Sequence, residues 1–381
     1  MDLTLPEEVQ LLRDSVRAFA RDVVAPSAAE RDRTGAFPTE ILRQAAALGL
    51  YGIKVPEEYG GTGASMLAYV TVMEEIAAAC ASTAVSLAVI NLGADCVMRF
   101  GTDAQKKRFL TPLCRGDLQA AAFCLSEPHS GSDAAALQAT ARRDGNGYVL
   151  NGTKQWITNG AHAGFSVVFA RTTPDGGAKG ITAFVIPQGT PGFRVGKEEH
   201  KMGLRSSNTV QMIMEDCRVD DSLRLGAEGQ GFEVAMAGLD GGRVGIAAQA
   251  LGMGRAALQE GVRYAKERKA FGKTIADLGA VQDFIADTAM QLDAARLLVW
   301  RGATMLDRGL RITREAAMAK VFSTEAAGRA ADRMLQVHGG YGYVNDFPIE
   351  RIYRDVRVTR IYEGASEIQR VVIGRAVTAG G

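Results

Sequence analysis

Apolar positions near the start of the chain recur at spacings of three and four. Val9, Leu12, Val16 and Phe19 form one stripe, and the Ala-rich run from Glu74 to Ala88 continues the theme. The pattern predicts helices from Pro6 to about Gly116, with one start at Thr39 behind Pro38. Around Ala121 the period changes. Asn146-Gly147, Asn151-Gly152 and Asn159-Gly160 arrive within fifteen residues, each able to take the left-handed conformation of a tight hairpin turn. Strand-like runs lie between and after them: Tyr148 to Leu150, Lys154 to Thr158, Phe165 to Arg171, Ile181 to Ile186 and Val210 to Met214. After Gly231 the helical period returns through Phe232 to Lys269, Gly279 to Arg308 and Thr313 to Val337. Such long helices pack as antiparallel bundles. The expectation is an α+β chain: an N-terminal helical domain over 1–120, a middle β domain over 121–230 and a C-terminal helical bundle over 231–381.

Length agrees with that division, because 381 residues exceed one ordinary core. The 44 Lys and Arg nearly cancel the 43 Asp and Glu, which leaves no electrostatic footprint for nucleic acid or an anionic membrane. No unbroken apolar run of eighteen residues occurs, and the charged amino terminus does not read as a signal sequence, so a bacterial cytoplasm or a mitochondrial matrix is expected. Cys80, Cys96, Cys114, Cys124 and Cys217 are at least ten residues apart, and none of the four histidines lies two to four residues from another. No metal is therefore expected, and the chemistry falls to an organic cofactor or to carboxylates.

One carboxylate stands out. Glu363 lies in IYEGASEIQR between Ile361, Tyr362 and Gly364 with no cation beside it in sequence; burial there would raise its pKa and make it a stronger base. Four other segments carry unusual combinations. FCLSEPHSGSD (Phe123 to Asp133) is a turn-rich loop whose hydroxyls and N–H groups suit a phosphate-bearing or flat ligand, or a polar interdomain turn. KQWITNG (Lys154 to Gly160) puts Trp156 and Thr158 on one strand face, although core packing is the usual fate of a strand tryptophan. ERKAFGK (Glu267 to Lys273) is basic and ends a long helix, fitting either a pyrophosphate or plain surface charge. QVHGGYGYVNDFPIERIYRD (Gln336 to Asp355) has glycines that permit close backbone approach or a sharp turn, without the strand a dinucleotide fingerprint requires.

In this order and at these separations, CLSEPHSGSD, QVHGGYGYVNDFPIERIYRD and IYEGASEIQR resemble the acyl-CoA dehydrogenase family over essentially the whole chain. LDGGRVGIAAQALG (Leu239 to Gly252) is similar to its short-chain, butyryl-like branch. The resemblance implies FAD-dependent α,β-dehydrogenation of an acyl-CoA to a trans-2-enoyl-CoA. Glu363 would take the α-proton while flavin N5 takes the β-hydride. Other branches supply the glutamate from the position occupied here by Gly242, just before Arg243, so Glu363 has no rival. Phe123, Leu125, Ser126, Trp156 and Thr158 match contacts to the isoalloxazine; Arg268, Phe271, Gln336, Gly339 and Gly340 match contacts to the FAD of a neighbouring subunit. Ala365 and Glu367 match FAD contacts after the base, and Ser132, Asp240, Arg243 and Gly364 match acyl-CoA contacts.

The resemblance also implies a homotetramer built as a dimer of dimers, with electron-transfer flavoprotein as acceptor. Three positions depart from the family pattern: Gly279 replaces a common Gln, Ala365 a common Thr, and His129 a small residue. The first two each remove a neutral hydrogen bond worth about 0.5 to 1.5 kcal/mol. A straight short acyl chain is expected, with a branched or carrier-bound acyl group as alternative, and residues 85–99, including Leu87, Ile90 and Met98, as candidate pocket floor. Oxidases of this kind are much longer, nitroalkane oxidases carry aspartate at the base, and a non-catalytic DNA-binding relative would carry a basic C-terminal region that this chain lacks.

Overall fold

The computed structural model describes residues 4–379. Helices α1 (Glu7–Phe19), α2 (Ala28–Thr34), α3 (Thr39–Ala47), α4 (Met66–Ala79), α5 (Ala81–Phe100) and α6 (Asp103–Cys114) come first. Helix α3 begins at Thr39, as its sequence predicts, and α6 is closed by a capping box between Thr102 and Gln105. Helix α5 is apolar and long enough to cross a membrane, yet nearly all of it is buried inside the protein. It packs on β1 (Ala120–Cys124) on one side and on the later helix α7 on another.

Strands β2 (Thr140–Asp144), β3 (Gly147–Thr158), β4 (Ala163–Arg171), β5 (Ile181–Pro187), β6 (Phe193–Glu198), β7 (Thr209–Asp220) and β8 (Arg224–Leu225) join β1 in an eight-stranded sheet. Its order is β6-β7-β3-β2-β4-β5-β8, with β1 parallel to β4. Two of the three Asn-Gly pairs fall at the ends of β3. Asn151-Gly152 does not make a turn: it lies inside β3, at an irregularity in its pairing with β7. Gly152 has φ +140°, and a Cβ there would sit 2.8 Å from Ala139 Cα, so the residue is a bulge required by close backbone approach. The two runs predicted as separate strands on either side of it are therefore one.

Helix α7 (Gly231–Glu267) is the spine of the remainder. After it come a small hairpin, β9 (Lys269–Ala270) and β10 (Lys273–Thr274), then α8 (Gly279–Asp307), α9 (Thr313–His338), α10 (Pro348–Val356) and α11 (Ser366–Thr378). The first half of α7 packs against α4 and α5, and α8, α9 and α10 also lie on it. The N-terminal helices and the C-terminal bundle thus meet along one helix, and the loop carrying Glu363 reaches that seam.

Candidate active site

Glu363 lies between the turn Arg357–Arg360 and α11, with φ +49°, followed by Gly364 with φ +95°. Two consecutive left-handed residues make a sharp reversal that an L side chain resists. Gly364 has no alternative, because a Cβ there would lie 2.1 Å from Gln369 Nε2. The reversal is tied down on both sides. The Gly364 carbonyl accepts a hydrogen bond from Lys320 Nζ at 2.7 Å, and the Tyr362 hydroxyl donates to Gln249 Oε1 at 2.9 Å. Gln249 in turn donates to the Ala81 carbonyl at 3.1 Å, joining the loop to α7 and α5.

The Glu363 carboxylate is turned onto α7 at Gly242. A Cβ on that glycine would sit 2.3 Å from Glu363 Oε2, so the missing side chain is the space the carboxylate occupies. Oε2 is sealed from solvent and has no hydrogen-bond partner among the described residues. Burial pushes the Glu363 pKa up to about 7, opposed by the charges of Lys320 and Arg243. Cations absent from its sequence neighbourhood are therefore present in space, and desolvation still outweighs them. The same burial lowers Lys320 to about 8. Lys320 was missed from sequence; the signal was a lysine inside the buried Ala316, Ala319, Ser323, Ala327 stripe of α9.

The other expected residues fall into groups. Arg243 is buried, and its Nη1 donates to Asp240 at 2.7 Å, while Asp240 Oδ2 accepts from Thr313 at 3.0 Å. Arg243, Asp240, Gly364 and Glu363 are thus gathered at one end of α7, whereas Ser132 is exposed in the loop before β2. Phe123, Leu125 and Ser126 lie on and after β1, and the Gln155 N–H donates to the Ser126 carbonyl at 2.9 Å, which brings Trp156 and Thr158 alongside. Trp156 is not core: it has φ +64° at a second β3 irregularity and is 60% exposed. His129 is exposed in its loop, but its Nε2 lies 3.3 Å from buried Glu127, which also pairs with Lys154 at 2.7 Å.

Arg268, Gly339 and Gly340 line a separate cleft of about 580 Å³ with Tyr264, His338 and Tyr341, and none of the Trp156 group lines it. Gly339, at φ +58°, and Gly340 both face open space. Gln336 is exposed one turn earlier. Phe271, at the tip of the β9–β10 hairpin, has φ +52° and is 90% exposed. Ala365 precedes α11 without capping it, and Glu367 is exposed on its first turn. Gly279 also faces open space at the start of α8. Among the described residues, no group of three or more His, Cys, Asp or Glu is placed to hold a metal.

These features fit a large flat cofactor with an anionic linker. Exposed Trp156 and Phe271, a glycine-walled cleft with a guanidinium, and Arg243 Nε, Ser366 Oγ and both amide atoms of Gln369, which have no hydrogen-bond partner among the described residues, leave surface and polar atoms for such a group. The helical–β–helical order with a desolvated carboxylate at its seam agrees with what the resemblance to flavin-dependent oxidoreductases of acyl thioesters implies. The three family models for acyl-CoA dehydrogenases match in order, the N-terminal domain over 6–117, the middle domain over 122–217 and the C-terminal domain over 229–378. The chain belongs to the acyl-CoA dehydrogenase family, whose cofactor is FAD.

Short-chain specific acyl-CoA dehydrogenase of Mus musculus is 48% identical over 370 residues, 97% of this chain and 90% of that protein. The acryloyl-CoA reductase (NADH) of Anaerotignum propionicum is 44% identical over 379 residues, 99% and 96% of the two. The solved structure of butyryl-CoA dehydrogenase from Megasphaera elsdenii superposes with a TM-score of 0.97 at 40% identity, covering 99% of this chain and 100% of that one.

Proposed function

We propose that the protein dehydrogenates a short-chain acyl-CoA to the trans-2-enoyl-CoA, with Glu363 removing the α-proton. The observation that carries this reading is the sealed, partnerless Oε2 against Gly242, in a carboxylate whose pKa is pushed up to about 7. A carbon acid needs a base stronger than a solvated glutamate, and one poised near neutral pH is still ionised often enough to act. Lys320 and Arg243 moderate the burial, keeping the ionised form accessible. Lys320 also fixes the Gly364 carbonyl, which holds the Glu363 N–H in place as a donor to the thioester oxygen.

A short acyl group is supported by Tyr69. Its ring is buried between α4 and α7, with its hydroxyl 2.8 Å from where a Cβ on Gly245 would be, one turn beyond the base. That ring would bound the depth open to an acyl chain lying along α7 from the base.

Bound FAD would supply the acceptor, at N5, for the β-hydride that leaves as Glu363 takes the α-proton. Phe123, Leu125, Ser126, Trp156 and Thr158 would hold its ring, and Ala365 and Glu367 would lie beside it. Arg268, Phe271, Gln336, Gly339 and Gly340 would hold the FAD of a neighbouring chain. Ser132, Asp240, Arg243 and Gly364 would position the acyl-CoA. Cofactor sites shared in this way imply at least a dimer, and the proposed assembly is a homotetramer, a dimer of dimers. Electron-transfer flavoprotein is the proposed acceptor, and the three-domain division 1–120, 121–230 and 231–381 the proposed organisation. Nucleic acid and membrane insertion have no part in this reading, and the proposed compartment is a bacterial cytoplasm or a mitochondrial matrix.

The test is anaerobic titration of the yellow protein with straight acyl-CoAs from C4 to C16 and with isobutyryl- and isovaleryl-CoA. Rapid bleaching by the C4 member is expected; a flavin that none of them bleaches would overturn the proposal. A second reading, reduction of a 2-enoyl-CoA, is favoured by the same carboxyl: with a pKa near 7 it is protonated often enough to return a proton to the α-carbon. Reoxidation of the dithionite-reduced protein by crotonyl-CoA, faster than bleaching by butyryl-CoA, would establish that direction.

A further inference from the structure

Beside the base stands a second charged group with no part in proton transfer. Lys54, in the loop after α3, forms an ion pair with Asp95 of α5. Lys54 Nζ also lies 5.1 Å from the ring centroid of Tyr69. A Cβ on Gly241 would sit 3.7 Å from Asp95 Oδ2 and 3.9 Å from Lys54 Nζ, while a Cβ on the next residue, Gly242, would meet Glu363. Neighbouring side-chain positions on a helix are about 5 Å apart, so the ion pair and the base carboxylate lie within about 12 Å of each other across two bare glycines.

The pair is neither a surface bridge nor a sealed one. Its side chains are 20% and 18% exposed, although Tyr69 and Cys96 beside it are buried. Holding two charges in such a place costs desolvation that an alkyl-lined wall would avoid. The pair nonetheless keeps unused capacity: an ammonium has three donors and a carboxylate about four acceptor positions. The Tyr69 hydroxyl makes no hydrogen bond among the described residues and feels the charges of both Glu363 and Asp95.

We propose that Lys54 and Asp95 form a polar end to the acyl cleft, selecting short acyl-CoAs that carry a neutral hydrogen-bonding group, a hydroxyl or carboxamide, at the far end of the chain. The inference rests on the reading of Glu363 as the base. With the α-carbon about 3 Å from that carboxylate, the ceiling of about 12 Å admits an acyl group of no more than about six carbons. Neutrality follows from charge. Asp95 already balances Lys54, so a terminal carboxylate gains little from the ammonium and is repelled by Asp95 and by ionised Glu363. A hydroxyl can donate to Asp95 and accept from Lys54 at once.

The probes are butyryl-CoA, 4-hydroxybutyryl-CoA and glutaryl-CoA, compared by kcat/KM for anaerobic flavin reduction. The wild type is expected to prefer the hydroxyacyl substrate to butyryl-CoA by about tenfold or more, as one or two charge-assisted hydrogen bonds allow. K54M/D95L should reverse that preference while keeping its flavin, and D95N, which retains a polar partner for the ligand, should keep most of it. Equal use of butyryl- and 4-hydroxybutyryl-CoA by the wild type, or a preference that survives in K54M/D95L, overturns the proposal while leaving the dehydrogenase reading intact. A preference for glutaryl-CoA overturns the neutral-group assignment. If no acyl-CoA bleaches the wild type, the reading of Glu363 fails first and this inference falls with it.

Discussion

Glu363→Gln should abolish turnover and stabilise the fold, with the stabilisation appearing only as pH rises. In the native protein burial raises the glutamate from its ordinary value of 4.5 to about 7. Between those values the folded chain holds a proton that the unfolded chain has released, so this group's contribution to stability is full below about pH 4.5 and is lost as pH rises through 7. The displacement corresponds to roughly 3 kcal/mol. Glutamine removes the titration. Buried Asp355 is also pushed up to about 7, but it is present in both proteins and cancels from their difference. The assay is thermal or urea unfolding of wild type and variant from pH 5 to pH 8. The advantage of the variant over wild type should grow by roughly 2.5 kcal/mol across that range, since part of the effect is already lost below pH 5, and this is a few degrees in Tm for a chain of this size. A difference that stays constant with pH would show that Glu363 is not desolvated, and the argument for its basicity would fail.

Three further outcomes are expected. Gly242→Ala puts a methyl where Glu363 Oε2 lies and should lower flavin reduction by about a hundredfold or more with flavin content unchanged; single-turnover bleaching reads it. Lys320→Met removes a cation that favours ionised Glu363 and the donor that holds Gly364, so the pH at which reduction reaches half its maximum should move upward, as a pH–rate profile would show. Phe271→Ala touches a side chain that is 90% exposed; it should leave apoprotein unfolding unchanged while reducing FAD retention and assembly, measured by the 450 nm to 280 nm ratio and by sedimentation.

Much of this architecture was legible because period and position agree. The three-and-four spacing of Val9, Leu12, Val16 and Phe19 became α1, with Val9, Val16 and Phe19 buried, and the change of period after Ala121 became the sheet. What misled was local chemistry under tertiary control. Asn151-Gly152 has the sequence of a turn, but Ala139 presses against Gly152 and β3 continues past it as a bulge. Trp156 would ordinarily be buried, yet a left-handed backbone turns it outward.

The sequence singled out Glu363 by its apolar neighbours, yet Ile361 is 56% exposed, and what desolvates the carboxylate is its packing on Gly242 of α7. Its electrostatic company was hidden. Lys320 comes from a helix more than forty residues earlier, and Lys54 and Asp95 meet only through the packing of the loop after α3 on α5, where the Asn91 amide donates to the Leu50 carbonyl at 2.9 Å. Leu87 and Ile90, candidates for the pocket floor, are fully buried in the core; Leu92, Asp95 and Cys96 are the α5 residues that face the glycines of α7 before the base.

The account's central claim is that Glu363 is the base. The most direct measurement is stopped-flow, anaerobic reduction of the bound flavin by butyryl-CoA in wild type and Glu363→Gln across pH 5.5 to 9. The account predicts a wild-type rate that climbs through a midpoint near 7 and a variant that binds the ligand without bleaching. A variant that bleaches within tenfold of the wild-type rate would contradict it.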